Sequence, residues 1–460
     1  MVKATEYYAN WVHELAFEDI PPEAVTNAKD QLIGILAATY AGAGTAAGKR
    51  IIAAVKTWGE RPESTVIGGS FKASMRSAAL VNSVSAQVLE FEDWVGIIHT
   101  GATVVPTAMA VAEALGRSGK DLLAAQIAGN EIATRVGFAT RNGRGLGNSH
   151  AVHQAEVPLV AGKLLGLNPI QLMDAVGGSC AQAQFPAHIS WTSHAKGYLT
   201  GMPVYTGITA ANIAQFGFGG SHEIIEHPRG YCYEAQGRLN PERLIDDLGT
   251  KWYTAEALTI KPYPMCGFTM AATDCVLEIV GRHDFSAEEI ESITIWGPLT
   301  LLISGAMFTA VDDMYEKIRR GDETGWCWIP LLFDAKYPIA AAFVDREMTP
   351  RQYTNERIFD PLVQETLGKI QIKTRIELDM RLGESLQFGA EVAVTLKDGR
   401  TFSAKTEQHK GGPGKPFDVA TKLAVGADGV LTSGQQRELV DAVRNLEQMK
   451  DVRELAALLR

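Results

Sequence analysis

Three stretches of this 460-residue chain set ionisable side chains in surroundings that do not suit plain solvation. The first is Leu89-Glu90-Phe91-Glu92-Asp93-Trp94, followed by Ile97-Ile98-His99. Its carboxylates fall at the end of an apolar helical pattern, where the negative end of the helix dipole disfavours them, so they call for another reason to be there. The second is Thr192-Ser193-His194-Ala195-Lys196-Gly197, leading into an Ala/Gly-rich helix. The third is Leu258-Thr259-Ile260-Lys261-Pro262-Tyr263-Pro264-Met265-Cys266, a lysine between an apolar run and a Pro-rich turn. A lysine that loses hydration is easier to deprotonate, and it becomes a usable base or a clamp for a carboxylate. The bland alternative is a solvated helix end with a structural histidine and two surface lysines.

Other signatures carry less. Gly143-Arg144-Gly145-Leu146-Gly147 has no preceding strand and lacks the dinucleotide spacing. Lys410-Gly-Gly-Pro-Gly-Lys415 is followed by Pro416 where a phosphate loop needs Ser or Thr. No GxSxG elbow is present. His150 and His153 stand three apart, a possible metal pair on a helix, but no third ligand lies nearby in sequence, so no metal site is assigned. Five cysteines (Cys180, Cys232, Cys266, Cys275 and Cys327) are scattered and form no CxxC pair. This speaks against a disulfide framework, a zinc ribbon and an iron–sulfur cluster. With 43 Lys+Arg against 53 Asp+Glu, the net charge of −10 gives no broad cationic surface for nucleic acid or anionic lipid. The absence of a signal-peptide pattern and of a long uncharged apolar run makes a reduced cytoplasm the expected compartment.

The elements that must position these residues are mostly helical. Val25, Ala28, Leu32, Ile35 and Thr39 recur at helical spacing, and 76–89, 106–115 and 121–135 continue the pattern. Asn168-Pro169 reads as a cap with proline at the first helical position. Beyond Gly281 the texture changes: Ile293-Thr-Ile-Trp, 369–376 and 391–396 read as strands, and Lys397-Asp398-Gly399-Arg400 is a hairpin signal. The expected fold is mainly α, a large all-helical domain (1–267 plus 408–460) with an inserted smaller α+β lid domain (268–407). GGPGKPFD at 411–418 reads as a linker.

These anchors, in order, resemble the MmgE/PrpD family, which includes 2-methylcitrate dehydratase, cis-aconitate decarboxylase and iminodisuccinate epimerase. LEFED at 89–93 is similar to the family's LDFDD. His99 stands seven residues before Pro106, as in HPS…P, and Lys163-Leu-Leu-Gly-Leu167 matches KLLGL. Lys196 precedes Gly207 by eleven residues, KPYPMC at 261–266 is similar to K-x-Y-P-x-C, and Asp334-Ala-Lys-Tyr-Pro resembles DAKFS. The chain departs from the family at Trp94-Val95, where DD-x-H is usual, and at Gly147, which aligns with a histidine.

The resemblance implies a helical body with an α+β lid, a homodimer, and chemistry needing no metal or organic cofactor. The implied activity is a dehydratase-like lyase that removes a proton α to a carboxylate of a small hydroxy-polycarboxylate and then eliminates. Decarboxylation or epimerisation through the same carbanion is the alternative. A non-catalytic helical binding protein is the rival from another class. The implied site has His99, Lys196 and Asp93 as catalytic residues, with Lys261, Glu90 and His150 binding substrate.

Overall fold

The computed structural model describes residues 2–140, 152–182, 188–302, 315–316, 328–375, 377–378 and 388–459. Helix α1 (Ala4–Glu14) precedes α2 (Pro22–Ala43), which has proline in its first turn and is buried almost throughout. Around α2 lie α3 (Ala46–Lys56), a hairpin of β1 (Ser64–Val66) and β2 (Phe71–Ala73), and α4 (Met75–Val88). Small residues let these helices touch backbone to backbone. A Cβ added at Gly42 of α2 would meet the Ser85 carbonyl oxygen of α4 at 1.8 Å. The dense alanine and glycine of the first half therefore serve close approach rather than flexibility.

The body continues with α5 (Gly101–Leu115), α6 (Gly119–Thr140), α7 (His153–Leu165), α8 (Pro169–Cys180) and α9 (Tyr198–Ala214). Asn168 caps α8 as expected and forms a reciprocal box with Gln171. Helix α5 begins five residues before the proline that periodicity suggested as its start. The helix tolerates Pro106 because the Ala102 carbonyl, which would have bonded its missing N–H, accepts from the Ser83 hydroxyl at 2.6 Å.

Two short strands, β3 (Asp93–Val95) and β4 (Leu258–Ile260), pair antiparallel with Asp93 opposite Ile260. Helix α10 (Gly267–Arg282) then leads to a four-stranded sheet in the order β6-β5-β7-β8. Strand β5 (Ile290–Gly297) runs parallel to β6 (Ile370–Thr374) and antiparallel to β7 (Ala390–Leu396), and β7 turns through Gly399 into β8 (Thr401–Thr406). Along β7 the buried side chains alternate, and Val392 and Val394 join the core that runs unbroken through the helical body. Helices α11 (Tyr337–Asp345) and α12 (Pro361–Gly368) flank this region, and α13 (Val419–Gly426) and α14 (Ser433–Arg444) return to the body. The molecule is mainly α. The 411–418 segment is not the free linker its composition suggested: the Ile260 amide donates to the Gly411 carbonyl at 2.9 Å, which pins the segment beside β4. Among the described residues no helix is long and apolar enough to cross a membrane.

One buried ion pair ties this framework to the third chemistry-bearing stretch. Glu131 of α6 accepts from Arg135 at 2.7 Å, the Tyr253 and Thr254 amides at 2.9 and 2.8 Å, and the Thr254 hydroxyl at 2.8 Å. Arg135 also donates to the Asp246, Asp247 and Lys251 carbonyls. The pair thereby fastens the loop that leads into β4 and Lys261. Removing one partner leaves a buried charge uncompensated, so Glu131→Ala should lower unfolding free energy by about 3–5 kcal/mol. Urea denaturation checks this, and a loss under about 1 kcal/mol would be the value of an exposed pair instead.

Candidate active site

Helix α4 ends at Val88, and the chain turns sharply at Glu90, whose φ of 54° lies in the left-handed region that non-glycine residues rarely occupy. That turn sends the side chains of Glu90 and Glu92 into the interior. Pairing of β3 with β4 places Lys261, the residue after β4, beside them, and its amide donates to the Glu92 carbonyl at 3.3 Å. Lys196 comes from a short 3-10 turn (His194–Gly197) capped by Ser193. Close packing brings it in, since a Cβ at Gly197 would meet Val84 of α4 at 2.7 Å.

The result is a buried charge cluster. The Lys261 ammonium lies 2.7 Å from Glu90 and 2.9 Å from Glu92. Lys196 lies 2.6 Å from the other oxygen of Glu90 and donates to the Gln87 carbonyl at 2.5 Å. His99 Nδ1 makes a short contact with Glu92. None of Glu90, Glu92, Asp93, His99, Lys196 and Lys261 is more than 3% exposed, so the cluster is shut off from solvent. Aromatic rings wall it. Lys261 lies over Trp94 at 5.1 Å and Lys196 over Phe333 at 5.9 Å, while Trp191 meets His99 edge-on. Trp94 fits because a Cβ at Gly267 would fall 1.8 Å from its ring.

Burial acts on every charge here, and neighbours decide the outcome. Burial pushes the Glu90 and Glu92 carboxyls up, and for Glu92 the Lys261 ammonium, the His99 contact and Lys196 outweigh it and hold the group well below the usual range. Glu90 is likewise held down by Lys196 and Lys261 against burial and the Glu92 charge. Burial lowers Lys261, but Glu90 and Glu92 more than restore it, so it stays an ammonium. Burial and Lys261 keep His99 below the ordinary imidazole value despite Glu92, so the ring is neutral at neutral pH. An ionised carboxylate only accepts, which assigns the ring proton to Nδ1 and leaves Nε2 as the basic nitrogen.

Asp93 is different. It accepts from Gln31 Nε2 at 3.2 Å and the Gly101 amide at 3.0 Å, and Gln31 is oriented by Gln126 and Asn130 at 2.8 Å each. Burial drives its carboxyl up to about 7. The cation facing it is Lys422 of α13, which burial brings down to about 7.

Four of the six residues named from sequence thus meet in one cluster, Glu90, His99, Lys196 and Lys261, whereas Asp93, next to Glu92 in the chain, gives its carboxylate to Gln31 and the Gly101 amide and pairs with neither lysine of the cluster. His150 lies outside the described residues. His153, its neighbour in sequence, is buried at the start of α7 and pairs with Glu156 at 2.6 Å. Sequence reasoning quoted Glu92 within its motif but missed that it links Lys261 to His99. It also missed Lys422 and Gln31, which carry no local signal. Ligand atoms of Glu90, Glu92 and His99 lie within 4.8 Å of one another, close enough to hold a metal ion. Two ammonium groups already sit within 2.9 Å of those carboxylates, and a divalent ion there would meet their repulsion.

The N-terminal domain of the MmgE/PrpD family matches residues 6–242, and its C-terminal domain matches 333–448. The chain belongs to this family. It is similar over 99% of its length to a cis-aconitate decarboxylase of Aspergillus terreus (24% identical, 95% of that protein covered). It is similar over the same share to the cis-aconitate decarboxylase-like protein oryM of Aspergillus oryzae (24%, 97% covered) and to cis-aconitate decarboxylase of Mus musculus (23%, 93% covered). Both family domains contribute to the cluster's surroundings, since Glu90, His99 and Lys196 fall in the first match and Phe333 and Lys422 in the second.

The raised carboxyl of Asp93 has a consequence for stability. Its folded pKa of about 7 exceeds the unfolded value of 3.8, so between these values the native state holds a proton that the unfolded chain has lost. Stability conferred by that proton is therefore full at low pH and declines as pH rises through the window. Asp93→Asn cannot titrate, so relative to wild type it should gain up to about 1.4 kcal/mol per pH unit across the window. Denaturation of both proteins at mildly acid and neutral pH measures this, and a pH-independent difference would mark Asp93 as an ordinary carboxylate.

Proposed function

We propose that the chain is a lyase of small polycarboxylates that works through a carbanion, without metal or organic cofactor. The observation that carries this reading is the pairing of two buried ammonium groups with one neutral, oriented imidazole in a buried, aromatic-walled site. Lys196 and Lys261 bind substrate carboxylates and stabilise enolate-like charge as it develops, which is worth most where water is excluded. Where a proton leaves the reacting carbon, His99 Nε2 accepts it, with Glu92 holding Nδ1–H and stabilising the imidazolium once it forms. Decarboxylation is the branch the relatives favour. The electron pair of the breaking C–C bond stays on the substrate as a carbanion, CO2 leaves, and a lysine ammonium then protonates that carbanion, with His99 Nε2 returning a proton to the lysine only after taking one up from outside the site. Dehydration of a hydroxy acid uses the same site in the other order, with proton abstraction first and loss of hydroxide protonated by a lysine.

The cluster as described is closed, so substrate access requires part of the wall to move. Phe333 over Lys196 and Phe388 against Trp94 both lie between 268 and 407, which supports the reading of that segment as a lid on the body formed by 1–267 and 408–460. Four described cysteines are free and buried, which suits a reducing, cytoplasmic setting. A second copy is the expected partner. Residues 197–221 carry no charged side chain, and Phe216 and Phe218 in this stretch are 90% and 71% exposed. On a chain of net charge −10 this is a face where two copies meet without like-charge repulsion.

Two measurements test the proposal. Incubation with cis-aconitate and, separately, with hydroxy tricarboxylates in deuterated water should release CO2 or an unsaturated acid. His99→Gln and Lys196→Met should each lower kcat/KM by at least about a hundredfold. Deuterium exchange without loss of CO2 or water would replace the lyase reading with an epimerase, and saturable binding without any exchange would leave a binding protein. For the assembly, sedimentation should give a dimer for wild type and a monomer for Phe216→Glu/Phe218→Glu. An unchanged dimer would move the interface elsewhere.

A further inference from the structure

Lys422 has no part in the family signature quoted above, yet it is one of the largest fully enclosed side chains, at 2% exposure. It projects from α13 toward the stretch that carries the acids, 331 positions away in sequence. Its ammonium donates to the Phe91 carbonyl at 2.5 Å and the Glu92 carbonyl at 3.3 Å, and it lies 4.4 Å from the centre of the Phe91 ring. No carboxylate oxygen lies within ion-pair distance of it among the described residues. A buried lysine without a direct counter-ion is costly. The fold makes specific room for this one. A Cβ at Gly34 of α2 would meet Ile260 at 3.0 Å and the Lys422 Nζ at 3.7 Å, and one at Gly426 would meet the Ala37 carbonyl at 2.2 Å, so α13 is seated tightly on α2.

The segment it holds is strained. Glu90 occupies the left-handed region, which persists only where the surroundings over-determine it. Lys422 takes the main-chain oxygen of Phe91 and shares that of Glu92 with the Lys261 amide, while the carboxylates of Glu90 and Glu92 are taken by Lys196, Lys261 and His99. We propose that Lys422 is the positioning residue of this active centre: its clamp on the two carbonyls aims Glu92 at His99 Nδ1 and Glu90 at the two lysines. The turnover arm of its test rests on the lyase reading above, whereas the titration arm does not.

The charges facing Lys422 are Asp93 and Glu92 from the 90–95 segment and Lys261 from beyond β4, and α2 presents uncharged Gly34 there. Burial lowers Lys422 to about 7 against the opposing pull of Asp93 and Glu92, so the clamp is a full ammonium only below that pH. Arginine keeps donors for both carbonyls and does not deprotonate, which separates clamping from titration.

The test follows the His99 ring by carbon NMR in histidine-labelled protein, assigned with His99→Gln, in wild type, Lys422→Met and Lys422→Arg, each titration repeated in an Asp93→Asn background so that an inflection near pH 7 reports Lys422 and not Asp93. Circular dichroism verifies folding first. In wild type, His99 should titrate below the ordinary imidazole range and show a second inflection near pH 7 from Lys422. In Lys422→Met the inflection should vanish and the His99 midpoint should fall by about one unit as Glu92, which raises it, swings away. Turnover of cis-aconitate should lose about a hundredfold in kcat with KM changed far less. Lys422→Arg should restore the midpoint and turnover but not the inflection. An unchanged His99 midpoint in folded Lys422→Met overturns the proposal. Should that variant not fold, the arginine protein decides alone: keeping the inflection overturns the proposal, and losing it with the midpoint retained supports it. If wild type fails to turn over cis-aconitate while the titrations behave as expected, the substrate reading fails and the positioning role stands.

Discussion

Two carboxylates shut away from water at the end of a helix can stay ionised only if cations are brought to them. Much of the architecture around Glu90 and Glu92 answers that constraint. The β3/β4 pairing delivers Lys261, the Gly197 contact with α4 delivers Lys196, and the Glu131–Arg135 pair anchors the loop that leads into β4. Each delivery spans more than a hundred residues of sequence, so the charge cluster also acts as a tertiary lock. The cost of an unpaired buried charge penalises any packing in which one of these segments is misplaced.

The same constraint shapes the chemistry. As described, Glu90 and Glu92 occupy the ammonium groups that a substrate carboxylate would need on the proposed reading, so the protein's own acids would stand in for that ligand. Glu92 additionally fixes the Nδ1–H tautomer of His99, which neither lysine could do, because an ammonium offers no acceptor. On the proposed reading the site divides into a cationic side that holds charge and an imidazole side that moves protons, with Glu92 joining them. Val95, where the family pattern usually has a histidine, brings no titrating group, and Trp94 beside it contributes an apolar ring. That ring lowers the polarity of the wall and stacks under Lys261.

How much of this could be read from sequence follows from which interactions are local. Helices with strong 3.6-residue periodicity, the Asn168 cap and the hairpin at Gly399 were legible because their determinants lie within a few residues. Lys196 and Lys261 stood out because a lysine among Gly, Pro and apolar residues contradicts its own preference for water. Lys422, in Val-Ala-Thr-Lys-Leu, looks like a lysine on an ordinary surface helix, and only the packing of α13 on α2 buries it. The start of α5 was hidden because the group that satisfies the Ala102 carbonyl is a serine nineteen positions away. The glycine-rich stretch at 411–418 looked like a linker because composition reports conformational freedom, whereas the bond to Ile260 that removes that freedom is a tertiary contact.

The balance of charge bears on which branch of lyase chemistry suits this centre. The lysine ammoniums are already matched by Glu90 and Glu92, and Asp93 and Lys422 titrate together near neutrality, so the closed cluster carries almost no surplus positive charge. A tricarboxylate entering it gains contacts with Lys196 and Lys261 only by loosening their bonds to Glu90, and any substrate carboxylate left near Glu90 is repelled without water to screen it. Loss of that group as CO2 relieves the repulsion at the moment the C–C bond breaks, while the carboxylates on the lysines stay anchored. Elimination of hydroxide leaves every substrate carboxylate in place and gains no such relief. In a site built this way, decarboxylation draws directly on the burial of Glu90, and dehydration does not.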